Sequence, residues 1–360
     1  MTSLFDPITL RSLTTSNRVW LAPMCQYSAV EVMPQDWHLV HLGSRATGGY
    51  GLLLTEANAV TADGRISPQD AGMWSDDHAE AWSRIVDFVH AQGRPIGTQL
   101  AHAGRKASTY RPWAPHRGTV PPAEGGWETS APSHEAFPGY AAPAELPLDG
   151  IRGVVTAFRD AAVRSTDAGF DTVELHAAHG YLLHQFLSPL SNHRTDTYGG
   201  SFDGRTRLLL ETVDAVRDVI PDGMPLLVRI SGTDWLDGGW DLEQSTQLAR
   251  GLKSAGVDLV DVSSGGNAPA SIPVGPGYQV PLAAGVRSGA DVPTGAVGLI
   301  TDPVQAEKVV ANGEADVVLL ARAALREPSW PMRAAHELGV PVDEAGWPDQ
   351  YTRGVWPTAD

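Results

Sequence analysis

Two histidines three residues apart, His176 and His179, end an apolar run and are followed at once by Gly180 and Tyr181. Imidazoles that close can share a metal ion, with Cys25 or His102 as further ligands, or can both donate to one electron-rich oxygen. No carboxylate stands beside the pair as a general base, and no HExxH sequence occurs. The pattern therefore suits polarisation of a carbonyl or nitro group better than zinc hydrolysis, and no metal is expected. A packed pair without chemistry is the bland alternative. Arg229 lies inside the apolar run Pro225–Ser231. A buried guanidinium there needs a partner, either a carboxylate such as Glu174 or a bound anion. Gly298 and Arg322 follow two other apolar runs and could hold a phosphate through backbone N–H groups and a charged side chain. Cys25 is either a small buried hydrophobe or a functional thiol. Trp113, Trp127, Tyr278 and Trp356 are either pocket lining or packing.

These residues need a frame that gathers them at one end. The sequence repeats one grammar: a helix ends at Gly and runs directly into an apolar strand, as in Asp167–His176, Ser254–Ser264 and Ala311–Arg322. Gly takes the left-handed conformation after a helix without a Cβ clash. The apolar runs lack alternation, as strands covered on both faces do. Helical stripes lie between them: Trp82, Ile85, Val86 and Val89 after an N-cap at Ser75; Leu209, Val213, Val216 and Ile220; Leu248, Ala249 and Leu252 after Asp241. Eight strands are predicted, at 18–24, 52–57, 95–101, 171–176, 225–231, 257–263, 292–297 and 315–321. Eight strands alternating with helices predict an α/β fold, a TIM (β/α)8 barrel, with a doubly wound sheet as the structural alternative. No GxGxxG or P-loop sequence occurs, which weakens that alternative. In a barrel these candidate residues fall at the C-terminal ends of strands, where barrel active sites lie. Residues 4–16 read as a hairpin plugging the other end. Residues 107–149 are rich in Pro, Gly and aromatics, have no period, and form a long insertion loop after the third strand. No linker interrupts the chain, so residues 1–360 read as one domain with a C-terminal tail at 345–360.

Composition narrows the classes of function. Lys and Arg number 26 against 42 Asp and Glu, for a net charge of −16, which argues against a chain that coats nucleic acid or an anionic membrane. With 42% hydrophobic and 19% charged residues, the chain can bury a large core. One cysteine excludes an intramolecular disulfide and any CxxC metal site. Neither a signal peptide nor a membrane span is expected, which makes a cytoplasmic location the default.

The chain resembles the Old Yellow Enzyme family of FMN-dependent ene-reductases. The resemblance runs from LFDPITL through NRVWLAPMCQYSA, AHAGRKA, HAAHGYLLHQFLSP, NHRTDTYGGS and TGAVGLIT to LLARAALREP. APMCQY and the His–His pair place it with the thermophilic-like bacterial subclass, near xenobiotic reductases. The resemblance implies that FMN is bound tightly but not covalently, that NADPH or NADH is the reductant, and that the activated alkene uses the same site in turn. It implies roles for single residues too. His176 and His179 polarise the substrate oxygen, hydride passes from flavin N5 to the β-carbon, and Tyr181 protonates the other carbon. Tyr27 helps to hold the substrate. Pro23, Met24, Cys25, Ala57, Gln99 and Arg229 contact the flavin ring, with Cys25 tuning its potential. Gly298, Ala321 and Arg322 hold the phosphate, although Ala321 stands where the family usually has Gly. By the same resemblance, Arg353 in QYTRGVW reaches the neighbouring subunit's site. This implies a homodimer or homotetramer acting on small molecules, with no nucleic-acid or membrane partner.

Overall fold

A computed structural model describes residues 2–357. Eight strands form the frame: β1 (Val19–Leu21), β2 (Leu52–Ala59), β3 (Ile96–Ala101), β4 (Thr172–Ala177), β5 (Leu226–Ser231), β6 (Leu259–Ser263), β7 (Thr294–Ala296) and β8 (Val317–Leu320). They close in chain order into a barrel in which every pairing is parallel, a TIM barrel. Each strand is buried along its whole length, which is why the sequence shows runs rather than alternation.

Helices surround the barrel. They include α1 (Asp36–Ala46), α2 (Asp76–Ala91), α3 (Leu148–Asp167), α4 (Leu182–Leu187), α5 (Phe202–Arg217), α6 (Leu242–Ser254), α7 (Val280–Ala290), α8 (Pro303–Ala311), α9 (Arg322–Arg326) and α10 (Trp330–Glu337). Ser75 caps α2, and Asp241 caps α6 by accepting from the N–H of Gln244. Gly169, Gly256 and Gly313 follow α3, α6 and α8 with φ of 89°, 90° and 69°. Each is in the left-handed region that the repeated grammar requires. Ile220 is buried but lies past the last residue of α5.

Two boundaries move for physical reasons. β1 stops at Leu21, three residues before the predicted end, because Pro23 has no N–H to continue the ladder. That frees residues 22–29 to cross the barrel mouth. β2 runs on to Ala59 through a register shift between Leu54 and Ala57. At the opposite end, an antiparallel hairpin pairs Ile8–Leu10 with Leu13–Thr15. Its Leu10 packs with Trp20, Leu52, Leu227, Leu259, Val317 and Leu319 inside the barrel. Burying one such side chain is worth roughly 1.5–3 kcal/mol, so the hairpin closes the barrel floor and leaves the mouth as the accessible end.

Candidate active site

The mouth gathers many, though not all, of the residues singled out in the sequence. His176 is the last residue but one of β4, and the turn after the strand places His179 in the left-handed region, with φ of 58°. Such a conformation costs a non-glycine residue about 1–3 kcal/mol, so something must hold it. The N–H of His179 donates to Ser231 Oγ at 2.9 Å, and that hydroxyl donates to the carbonyl of Gly265 at 2.9 Å. The N–H of Gly180 donates to His184 Nδ1 at 2.9 Å, and His184 is paired beneath with buried Asp234 at 3.1 Å. Lys106 Nζ donates to two converging carbonyls, His179 O at 2.7 Å and Gly266 O at 2.9 Å. A side chain at Gly180 or Gly266 would drive into the opposite turn, at 2.2 Å and 2.7 Å respectively. The loops after β4 and β6 are thus in backbone contact.

Hydrogen bonds fix one ring and leave the other adjustable. His176 Nδ1 accepts from the N–H of Ala178 at 3.2 Å, so its proton is on Nε2. His176 Nε2 lies 3.3 Å from His179 Nδ1, and His179 Nε2 lies 2.7 Å from Ser263 Oγ. Burial, reinforced by Arg229, holds both histidines well below the usual imidazole range. Both are therefore neutral donors. Tyr181 packs edge-on to His176, with ring centres 5.0 Å apart. Burial, then the nearby Cys25 thiol, raises its phenol pKa well above the ordinary value, so it keeps its proton. Half-buried Cys25 and Tyr27 pack with Tyr181 and Trp127 against Ile66, Ala103 and Ala107.

The sequence left two partners open for Arg229. The structure pairs it with Asp261 at 2.9 Å and not directly with Glu174. Register decides this: Arg229 stands opposite Asp261 on β6, whereas Glu174 on β4 stands opposite Leu227. Glu174 instead accepts from Gln99 Nε2 at 2.7 Å, its register partner on β3. Burial and the proximity of Asp261 push the Glu174 carboxyl up to about 8, with Arg229 opposing. One guanidinium and one amide, backed by two buried carboxyls, therefore form the polar floor of the mouth.

Beside this floor is a cavity of about 150 Å³ whose lining includes Gly298, Ala321 and Arg322. Gly298 has φ of 117°, and a Cβ there would come within 2.8 Å of Gln279 Nε2, so only glycine fits. Ala321 has φ of −108° and ψ of −87°, which is not the positive-φ region that favours Gly. The set fits a flat ring with an anionic tail. Gln99 and Arg229 are buried polar side chains, Ala57 is the register partner of Gln99, Pro23 and Met24 follow the end of β1, and Gly298 and Arg322 line the neighbouring cavity.

The sequence also offered a zinc site. Among the described residues, no group of three His, Cys, Asp or Glu side chains is close enough to hold a metal. His102 is turned elsewhere: its Nδ1 accepts from the N–H of Gly104 at 3.1 Å. Trp113 meets Tyr27 edge-on at 5.8 Å, Tyr278 lines the phosphate-sized cavity, and Trp356 stacks on His336 away from both. Arg353 is exposed in the short helix Asp349–Gly354. Three contributors had no assigned role in the sequence: Ser263, Lys106 and Glu56. Only Ser263 stands at a strand end; Glu56 lies inside β2 and Lys106 in the turn after β3, and their partners come from other elements.

Residues 3–340 match the family described as NADH:flavin oxidoreductase / NADH oxidase. The chain belongs to this family. It is an oxidoreductase with FMN as cofactor and a reduced nicotinamide as electron donor. It is 47% identical over 355 residues to an NADPH dehydrogenase of Geobacillus thermodenitrificans, covering 98% of both chains. It is 46% identical over 353 residues to an NADPH dehydrogenase of Bacillus velezensis, covering 97% of this chain and 98% of the relative. The solved structure of morphinone reductase superposes with a TM-score of 0.79 at 29% identity, covering 96% of this chain and 95% of that one. The Old Yellow Enzyme resemblance and the barrel agree with these findings. No helix among the described residues is long and apolar enough to cross a membrane.

Proposed function

We propose that the chain is an ene-reductase, which reduces the C=C bond of α,β-unsaturated ketones, aldehydes, maleimides or nitroalkenes at the expense of NAD(P)H. The observation that carries this reading is the neutral histidine pair. His176 presents Nε2–H because Ala178 occupies its Nδ1. His179 gains an Nδ1–H whenever Ser263 donates into its Nε2. One fixed and one adjustable neutral donor can then converge on one substrate oxygen and draw electron density from the distal alkene carbon. FMN, when bound, supplies the redox chemistry, accepting hydride from the nicotinamide and passing it to the alkene.

The chain's own residues orient the guest and deliver the proton. Tyr181, kept protonated by burial and adjacent to His176, donates to the α-carbon. Tyr27 packs with Cys25 and Tyr181 and holds the oxygen end. Gln99 and Arg229 hold the pyrimidine side of the flavin, and Gly298 and Arg322 its phosphate. One mouth serves both substrates in turn, in ping-pong fashion. Arg353, exposed near the C-terminus, is available to a neighbouring subunit's mouth in a homodimer or homotetramer.

The test is an anaerobic spectrum. The purified protein is yellow, bleaches with NADPH and regains colour when an enone or maleimide is added. With both His176 and His179 replaced by Ala, flavin stays bound while reoxidation by the alkene slows at least ~100-fold, the scale of losing a transition-state donor. Absence of flavin, or reoxidation of that variant at the native rate, overturns the reading.

A further inference from the structure

We propose that Glu56 is a positioning residue that anchors the Cys25–Tyr27 segment at the flavin face and, through its buried charge, holds the flavin's reduction potential down. The inference rests on the proposed ene-reductase function for what Cys25 and Tyr27 do.

Glu56 lies in β2 where the pairing with β3 shifts register, between Leu54 and Ala57. Such an irregularity re-aims a side chain, and here it turns Glu56 towards α1 instead of along the ladder. The residue is only 4% exposed. One carboxylate oxygen accepts from the N–H of Gln26 at 2.9 Å, and the other is 2.9 Å from His38 Nε2. His38 Nδ1 accepts from the N–H of Gln35 at 2.8 Å, so the imidazole is the neutral Nε2–H form. The carboxylate thus accepts one backbone N–H and has an uncharged imidazole beside its other oxygen. Among the described residues, no Lys or Arg pairs with this buried carboxyl.

The anchored segment needs this support. Residues 22–29 have no regular structure, and Tyr27 has φ of 49°, a left-handed value that is strained for tyrosine. Gln26 is the only residue between Cys25 and Tyr27. Its side chain donates to the carbonyl of Met24 at 2.8 Å and accepts from Trp37 Nε1 at 3.0 Å. The first turn of α1 therefore grips the loop twice, directly through Trp37 and through His38 by way of Glu56. A carboxylate so placed also acts on its neighbours: after burial and Asp70, Glu56 helps to push the Cys25 thiol up. The same field opposes placing electrons on a ring against Cys25.

The experiment uses the FMN-loaded enzyme, the variants Glu56→Gln and Glu56→Asp, and two readouts: the flavin's midpoint by anaerobic dye equilibration and the affinity for phenol. Gln removes the charge and one of the two acceptor contacts. It is expected to shift the two-electron reduction equilibrium towards reduced flavin about tenfold, which is about 30 mV. Asp keeps the charge but is too short to reach Gln26 N. It should leave that equilibrium within twofold while weakening phenol binding several-fold. If Glu56→Gln lowers only the melting temperature and leaves both readouts within twofold, the inference is overturned. Should Glu56→Gln fail to fold, unaltered phenol affinity in Glu56→Asp overturns it alone. A purified enzyme without flavin would sink the functional reading itself, a distinguishable failure.

Discussion

Ser263 is the cheapest place to test whether the histidine pair works as two donors. Its hydroxyl has a single proton and two acceptors within reach, His179 Nε2 at 2.7 Å and Gln279 Oε1 at 3.4 Å. The shorter contact wins when a guest oxygen approaches, because His179 can then carry its proton on Nδ1 and donate it to the guest beside the Nε2–H of His176. Replacing Ser263 by Ala removes the group that selects this tautomer. The loss is one neutral hydrogen bond, about 0.5–1.5 kcal/mol net, which corresponds to roughly 2–13-fold in affinity. Phenol binding to the oxidised enzyme, followed by the absorbance change it induces, should weaken within that range, and kcat/KM for an enone should fall at least as far. The effect should persist from pH 6 to 8, because both rings stay neutral there. Ser264→Ala is the control. Its hydroxyl donates to Gln279 Oε1 at 2.6 Å and touches neither ring, so phenol affinity should hold. FMN affinity is measured alongside, since Ser263 also lines the phosphate-sized cavity. If Ser263→Ala binds phenol within twofold of the parent while its flavin is retained, the tautomer argument fails.

The remaining expectations concern the tail of the cofactor and pH. Arg322→Ala should weaken FMN binding about 10–100-fold by fluorescence titration, the scale of a hydrogen bond to a charged group, and an unchanged affinity would remove Arg322 from the phosphate site. Burial, then the like charge of Arg105, lowers Lys106 to about 8 from the ordinary lysine value of 10.5. Between those values the unfolded chain holds the proton and the folded chain does not, so this group makes stability rise with pH through that window and contributes no slope below it. Denaturant unfolding from pH 7 to 10, compared with Lys106→Met, should show that positive difference in slope; parallel curves would mean that the ammonium is not perturbed.

Much of the fold was legible because local rules decided it. The glycines after α3, α6 and α8 mark where each helix must stop, and the unbroken apolar runs after them can only be strands covered on both faces. His176, His179 and Tyr181 stand together in the chain, so one turn is enough to bring them to one place. What was hidden depends on register. Asp261 meets Arg229 because β5 and β6 align at that rung, while Glu174 is spoken for by Gln99. No feature of the local pattern carries that alignment. Glu56 looks like an isolated acid within an apolar strand until the irregularity after Leu54 turns it towards His38. Residues 107–149 showed no period because their backbone bonds go to distant partners: Thr109 N to Ile66 O at 2.7 Å, and Ala144 N to Thr129 O at 2.8 Å. Such pairings order a segment without leaving a repeat in its sequence.

The arrangement also accounts for where strain is tolerated. Tyr27 and His179 both adopt left-handed backbones at the mouth, and each is braced from behind by a buried acid–histidine pair: Glu56–His38 under the first, Asp234–His184 under the second. In each pair the imidazole Nδ1 accepts a backbone N–H and Nε2 faces the carboxylate. The acids act differently, however. Glu56 bonds the strained loop itself, whereas Asp234 acts through His184 and accepts from Ser188 and Trp240 N besides. A rigid barrel can impose unfavourable conformations on two residues only if the restraint is stiffer than the strain, and buried charge-assisted bonds meet that condition where neutral surface contacts do not. The two sides of the mouth are thus held independently. Loosening one brace should disturb the residue above it without moving the other.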